Sequence, residues 1–359
     1  MEIKKEKDSA KTRSGVEQPP SVNPQILGKR KKRKEYSVDE YVEGILSGSR
    51  TILSQAITLI ESSLPEHYSM AQAIIEKCLP YSARSLRIGI TGVPGAGKST
   101  FIETFGLYLT GQGRKLAVLT IDPSSEHTKG SILGDKTRME QLSVHPDVFI
   151  RPSPSSGSLG GVARKTRETI IVCEAAGYDT ILVETVGVGQ SETEVHSMVD
   201  FFLLLMLAGA GDEIQGIKRG IMEMADLIAI TKADGQNILN ADNARILYEN
   251  AINLFPPPPS GWRPKVVTCS AKNNTGIGEL WGIIMEYEEF TRSTGFFDEL
   301  RKQQAIIRMD NTIREFLKHS FYNNRLVKES RPEIEKQLAE GLITSYTAAL
   351  TLLDKYFKK

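Results

Sequence analysis

Cysteine is scarce in this 359-residue chain: Cys78, Cys173 and Cys269 are its only three, widely spaced and without a CxxC pair. An odd, scattered set excludes a disulfide framework and fits a reducing, cytoplasmic setting. No charge of one sign dominates. The 45 basic and 44 acidic residues leave a net charge of +1, so nothing global calls for a nucleic-acid or membrane partner. Long apolar runs are missing too. The most apolar stretch, Phe201 to Ala208, is far too short to span a bilayer and reads as a buried parallel strand. The first residues lack the apolar segment of a secretory signal. They also carry Glu2, Glu6 and Asp8, acids that a transit peptide avoids.

What is present is the composition of a globular protein, 40% hydrophobic and 25% charged, with enough apolar material for an enzyme-sized core. The length allows one large domain with appendages, or two domains. Residues 1–35 are rich in Lys, Ser, Pro and Gln and read as a disordered tail. Within it, the run Lys29 to Lys34 is either a solvated tail or an anionic-surface contact. Residues 36–84 read as a helical region. Ser37 and Glu40 make a capping box, and Ile45, Leu46, Ile52, Leu53, Ala56, Ile57 and Ile60 recur at helical spacing. Pro65 opens a further helix reaching Leu79.

From residue 85 to 294 the pattern changes to short apolar runs alternating with amphipathic segments. The runs are Ile88–Thr91, Leu116–Asp122, Val148–Ile150, Thr180–Glu184, Phe201–Leu207, Leu227–Thr231 and Lys265–Ser270. This predicts an α/β fold, a mostly parallel sheet flanked by helices, with ligands bound at the carboxyl ends of its strands. Pro256 to Pro259 is a stiff loop. Residues 295–359 read as a helical arm, with Ile306, Ile307, Ile313, Phe316 and Leu317 as a buried stripe and two short helices near 332–341 and 345–357.

The residues Gly92-Val93-Pro94-Gly95-Ala96-Gly97-Lys98-Ser99, followed by Thr100, spell the phosphate-binding GxxxxGKS loop between a strand and a helix. Its glycines let successive N–H groups turn towards phosphate oxygens, helped by the partial positive charge of the following helix. Lys98 would reach the β- and γ-phosphates and Ser99 would offer a hydroxyl to Mg²⁺. Magnesium needs further hard oxygen ligands. Glu184 closes a strand where such an acid belongs. Gly187 follows it in an ExxG spacing, placed so that its N–H can report the γ-phosphate. Asp122, at another strand end, and Asp135 are further candidates, although each is also a common cap or turn residue. Gln190 is placed either to orient the attacking water or to cap the helix beginning near Glu192. Arg138 either offsets transition-state charge or makes a structural ion pair.

Thr231-Lys232-Ala233-Asp234 follows another strand and resembles the NKxD motif, with Thr in place of Asn. A carboxylate at Asp234 can accept from both N1–H and the 2-amino group of guanine, whereas adenine would leave it unsatisfied. The Lys232 stem can lie over the base. Ser270, Ala271 and Lys272 resemble the companion SAK loop, whose backbone meets the guanine O6. The missing Asn weakens only the loop-bracing role that Asn normally plays.

Together, GVPGAGKST at 92–100, DPSS at 122–125, GSILGDKTRM at 130–139, LGGVARKT at 159–166, ETVGVGQSE at 184–192 and GDEIQGIKRGIMEMAD at 211–226 resemble the MeaB/ArgK-type P-loop GTPases. The resemblance covers roughly residues 37–358. It implies a metallochaperone-like GTPase that binds GTP/GDP and Mg²⁺ and partners adenosylcobalamin-dependent methylmalonyl-CoA mutase, gating cofactor loading and protecting the mutase. It implies a homodimer embraced by the C-terminal arm, and a magnesium site at Ser99, Asp122, Asp135 and Glu184. It also implies an extra switch loop at 211–220 with Lys218 as a relay residue. Two other functions compete. A metal-insertion GTPase of the same class should carry paired Cys or a His-rich tract, and the five histidines here are scattered. A small-molecule or protein kinase would need an acceptor pocket and would usually prefer ATP.

Overall fold

The computed structural model describes residues 36–62, 64–122, 139–154, 159–185, 191–208 and 219–357. Residues 38–359 make up one compact unit; the other, Met1–Ser37, is almost wholly outside the described residues, and with it the expected tail and its basic run.

Three helices come first: α1 (Val38–Leu46), α2 (Arg50–Glu61) and α3 (Pro65–Cys78). Ser49 caps α2 by accepting from the Ile52 N–H, and Pro65 takes the first position of α3, where its missing N–H costs nothing. Strands and helices then alternate: β1 (Leu86–Gly92), α4 (Lys98–Gly111), β2 (Leu116–Asp122), α5 (Glu140–Val144), β3 (Val148–Pro154), α6 (Leu159–Ala175), β4 (Thr180–Thr185), α7 (Ser191–His196), β5 (Phe201–Leu207), α8 (Arg219–Glu223), β6 (Leu227–Thr231), α9 (Ile238–Ile252), β7 (Lys265–Thr268) and α10 (Ile277–Ser293). The chain ends in α11 (Phe296–Asn323), α12 (Arg325–Ala339) and α13 (Ser345–Phe357).

The seven strands pair in parallel, in the order β3-β2-β4-β1-β5-β6-β7. Such a sheet has no solvated face, so its strands read as unbroken apolar runs, and every residue of β4 and β6 is buried. Alternate residues of β1 serve opposite faces. Ile88 and Ile90 join the main core with Phe101 and Phe105 of α4 and Trp281 of α10. Between them, Gly89 faces α7, where an added Cβ would lie 2.9 Å from the Val195 side chain.

A buried ionic frame fixes the amino ends of the central strands. Arg87 forks onto Glu174 of α6 at 2.9 and 3.0 Å. Arg301 of α11 forks onto Asp200 at 2.8 and 2.7 Å and also donates to the Ala83 and Ser85 carbonyls. Fork geometry with full hydrogen bonding is the arrangement that lets charges be buried.

The C-terminal segment departs from the sequence reading in two ways. Ile306, Ile307, Ile313, Phe316 and Leu317 are exposed rather than buried, Leu317 by 57%. The stripe is real, but none of the described residues buries it. The helix expected to start near residue 332 begins at Arg325, where Asn324 accepts from the Leu326 and Val327 N–H groups, and Pro332 lies inside it. The asparagine cap sets the start. β7 ends at Thr268, two residues before the expected boundary, because Ser270 leaves the ladder to bridge Thr275.

Candidate functional site

The phosphate loop leaves the carboxyl end of β1, between β4 and β5. Gly92 passes so close to β5 that an added Cβ would lie 2.3 Å from the Leu205 carbonyl oxygen, so only glycine fits. Gly95 and Gly97 take φ of 80° and 79°, left-handed values that favour glycine. The Ala96 N–H turns inward to the Val93 carbonyl at 3.1 Å. Lys98 opens α4, and its ammonium arches back to donate to the Gly92 carbonyl at 2.9 Å. Burial lowers the Lys98 pKa, while Glu184 and Glu192 oppose that shift by favouring the charged form. Ser99 is half-buried and Thr100 exposed on the first turn of α4.

Glu184 is buried at the end of β4, in register with Ile90 of β1 and Thr120 of β2. Asp122 ends β2 on the neighbouring strand, so its backbone lies at the same edge of the sheet. Beside them the Thr185 hydroxyl donates to that of Thr91 at 2.8 Å. Asp135, Gly187, Gln190, Lys218 and Arg138 lie outside the described residues.

Two strands further on, β6 delivers the TKAD segment. Thr231 is buried, and its hydroxyl lies 2.8 Å from the Ala96 carbonyl and 3.0 Å from the Met206 carbonyl. It therefore ties the phosphate loop to β6, the role expected to suffer from the missing Asn; threonine retains it with one proton shared between two acceptors. Lys232 follows with φ of 58°, and its Cε lies 3.8 Å from where a Cβ on Gly97 would stand. Asp234 is half-buried, and its carboxylate accepts from the Ser270 hydroxyl at 2.5 Å. Ser270 also accepts the Asn273 N–H at 3.2 Å, and the Ala271 carbonyl takes a bond from Thr104 of α4 at 3.1 Å. Lys272 is exposed beside them. The SAK loop is thus pinned both to the carboxylate it accompanies and to the helix that follows the phosphate loop.

Sequence reasoning missed Glu192 as a site residue. It is almost fully buried in the first turn of α7 and acts electrostatically on Lys98. An acid two residues after the ETVGVGQ segment was the available signal. Thr231 as a brace, and Ser270 as the orienting group for Asp234, also emerge only in three dimensions.

The profile described as methylmalonyl-CoA mutase-associated GTPase MeaB matches residues 53–325. The GTPase ArgK of Escherichia coli is 48% identical over 290 residues, covering 80% of this chain and 88% of that protein. The mouse protein named methylmalonic aciduria type A homolog, mitochondrial, is 44% identical over 336 residues, covering 91% and 81%. A crystal structure described as a LAO/AO transport system kinase superposes with a TM-score of 0.73 at 36% identity, over 90% of this chain and 99% of that one. The phosphate loop at the end of β1, the seven-stranded parallel sheet and these similarities agree: the chain belongs to the MeaB family and is a P-loop GTPase.

Proposed function

We propose that this GTPase binds Mg·GTP across the phosphate loop and the TKAD and SAK segments, and uses its hydrolysis cycle to chaperone adenosylcobalamin-dependent methylmalonyl-CoA mutase. The observation that carries the nucleotide reading is the Asp234 carboxylate, held by Ser270 on a segment that Thr231 braces to the phosphate loop. A carboxylate fixed in this way meets the N1–H and 2-amino donors of guanine with little reorganisation. Lys98 now satisfies its charge on the Gly92 carbonyl; on binding, it exchanges that carbonyl for phosphate oxygens, which bear far more charge. The N–H groups of Gly95 and of Gly97 to Thr100 would line the anion, and the start of α4 would add its dipole.

The donors fit magnesium, which takes one or two carboxylates, a hydroxyl and phosphate oxygens rather than an all-protein cage. Ser99 and Glu184, with Asp122 and Asp135, would hold it, and it would neutralise charge developing on the phosphates. Gly187 would sense the γ-phosphate. Gln190 would orient water and Lys218 would relay the partner's presence.

The mutase reading rests on the family's description and on the name of the mouse relative. Within it, residues 36–84 are a helical region, 85–294 the GTPase domain and 295–359 a dimerisation arm. The uncovered stripe from Ile306 to Leu317 supports a homodimer. Three unpaired, buried cysteines suit the cytoplasm, and no helix among the described residues is long and apolar enough to cross a membrane. Steady-state GTP hydrolysis, measured alone and with purified methylmalonyl-CoA mutase, tests the proposal. Faster turnover with the mutase is expected. An unchanged rate together with no co-purification would refute the partnership.

A further inference from the structure

Four arginines converge on a cavity that no phosphate-loop residue lines. A cavity of about 210 Å³ opens between α6, α7 and α11, lined by Arg164, Arg167, Arg308 and Arg314 with Glu194 and Glu315. It has room for about seven waters, enough for a diphosphate group. The Arg167 side chain is only 10% exposed. Its Nη2 meets the Ser197 hydroxyl and lies 3.6 Å from Glu194, but its buried Nε–H has no hydrogen-bond partner among the described residues. The buried Nε–H of Arg164 is likewise unpartnered there, although that guanidinium lies over the Tyr68 ring at 5.8 Å. Buried donors of this kind are rarely left unmade in a native protein.

The carboxylates nearby only partly match this charge. Glu194 faces Arg167 at 3.6 Å. Glu168, buried on α6, pairs with Arg308 at 3.8 Å and takes a bond from Gln72 at 3.3 Å. Lys165 turns away to the Glu61 carbonyl oxygen. Burial lowers the pKa of both Arg167 and Arg308; Arg308 disfavours the charged form of Arg167, and Arg164 that of Arg308. Crowded guanidiniums with spare N–H donors are built to receive tetrahedral oxyanions, which they can grip in paired bonds.

We propose that this cavity binds a small phosphate-bearing ligand, gripped by Arg164, Arg167 and Arg308 with Arg314 at the rim. The ligand would lie against α7, the helix that follows the ETVGVGQ segment.

Pyrophosphate is the probe. It is titrated calorimetrically into the full chain saturated with a non-hydrolysable GTP analogue, so that the phosphate loop is already filled. A single binding event is expected, weakened at least tenfold in Arg164→Ala and several-fold in Arg314→Gln, an exposed position whose change leaves the fold intact. Glu194→Gln should tighten binding by removing a competing carboxylate. The same event in Lys98→Ala separates this site from the nucleotide site. No binding at millimolar pyrophosphate would overturn the proposal. So would binding indifferent to both Arg164→Ala and Arg314→Gln, or protection of the cavity only by an acidic protein partner.

Discussion

Thr231→Val removes one hydroxyl and keeps the shape of the side chain. The hydroxyl is buried and lies 2.8 Å from the Ala96 carbonyl and 3.0 Å from the Met206 carbonyl. Valine leaves both oxygens without that donor in a site closed to water. One lost buried bond with an unsatisfied acceptor costs about 1–3 kcal/mol. Part of this falls on the fold and part on the phosphate loop, because Ala96 lies inside the loop that must present its amides. If most of it falls on the loop, GTP affinity drops by about five- to a hundredfold, at about 1.4 kcal/mol per factor of ten. Thr231→Asn should recover much of the loss, since an amide offers one N–H to each carbonyl. The assay is fluorescent-nucleotide binding alongside a thermal melt for wild type and both variants. Unchanged affinity and unchanged melting in Thr231→Val would refute the bracing role. Lost stability with intact nucleotide affinity would confine the bond to the fold.

Three further outcomes are expected. Lys98→Ala should nearly abolish hydrolysis, by roughly a hundredfold or more, while the fold survives because the residue is only half-buried; unchanged turnover would remove Lys98 from catalysis. Under the proposed mutase partnership, Lys218→Ala should leave basal hydrolysis nearly intact and reduce hydrolysis stimulated by the mutase; equal loss of both rates would make Lys218 simply catalytic. Asp226 is half-buried just before β6, where its carboxylate accepts from the Phe202 N–H at 2.8 Å, and desolvation pushes its pKa from 3.8 up to about 7. Folding therefore takes up a proton between those values, and this group's stabilisation is complete below pH 4 and lost as pH rises towards 7, by at most about 4 kcal/mol. Asp226→Asn should flatten that part of the pH dependence in urea melts at pH 4.5 and 7.5; an unaltered dependence would show that Asp226 stays ionised.

The sheet was legible because a parallel strand covered on both faces must be apolar throughout, as Phe201–Leu207 and Leu227–Ile230 are. The phosphate loop was legible because its glycines answer a backbone demand that no other residue meets at Gly92. The arm was half legible. Its apolar stripe could be read, but periodicity does not say whether the covering surface belongs to the same chain. The helix expected near residue 332 starts at Arg325, where the Asn324 cap decides it. Thr231 and Ala96 stand 135 residues apart, and Ser270 stands 36 from Asp234. No local pattern records such partners, so the brace and the orienting hydroxyl had to wait for the fold. Glu192 was hidden for a related reason: an acid in the first turn of a helix is ordinary, and only its burial beside Lys98 sets it apart.

The most direct measurement is the nucleotide preference of Asp234→Asn. An amide in place of the carboxylate still accepts from N1–H but now donates where the guanine 2-amino group also donates. Xanthosine triphosphate, with an oxygen at that position, becomes the matched ligand. Affinity for GTP should fall on the order of a hundredfold and that for xanthosine triphosphate should rise past it. A variant that still preferred GTP would mean that the purine is read by some other group and that the TKAD segment does not hold the base.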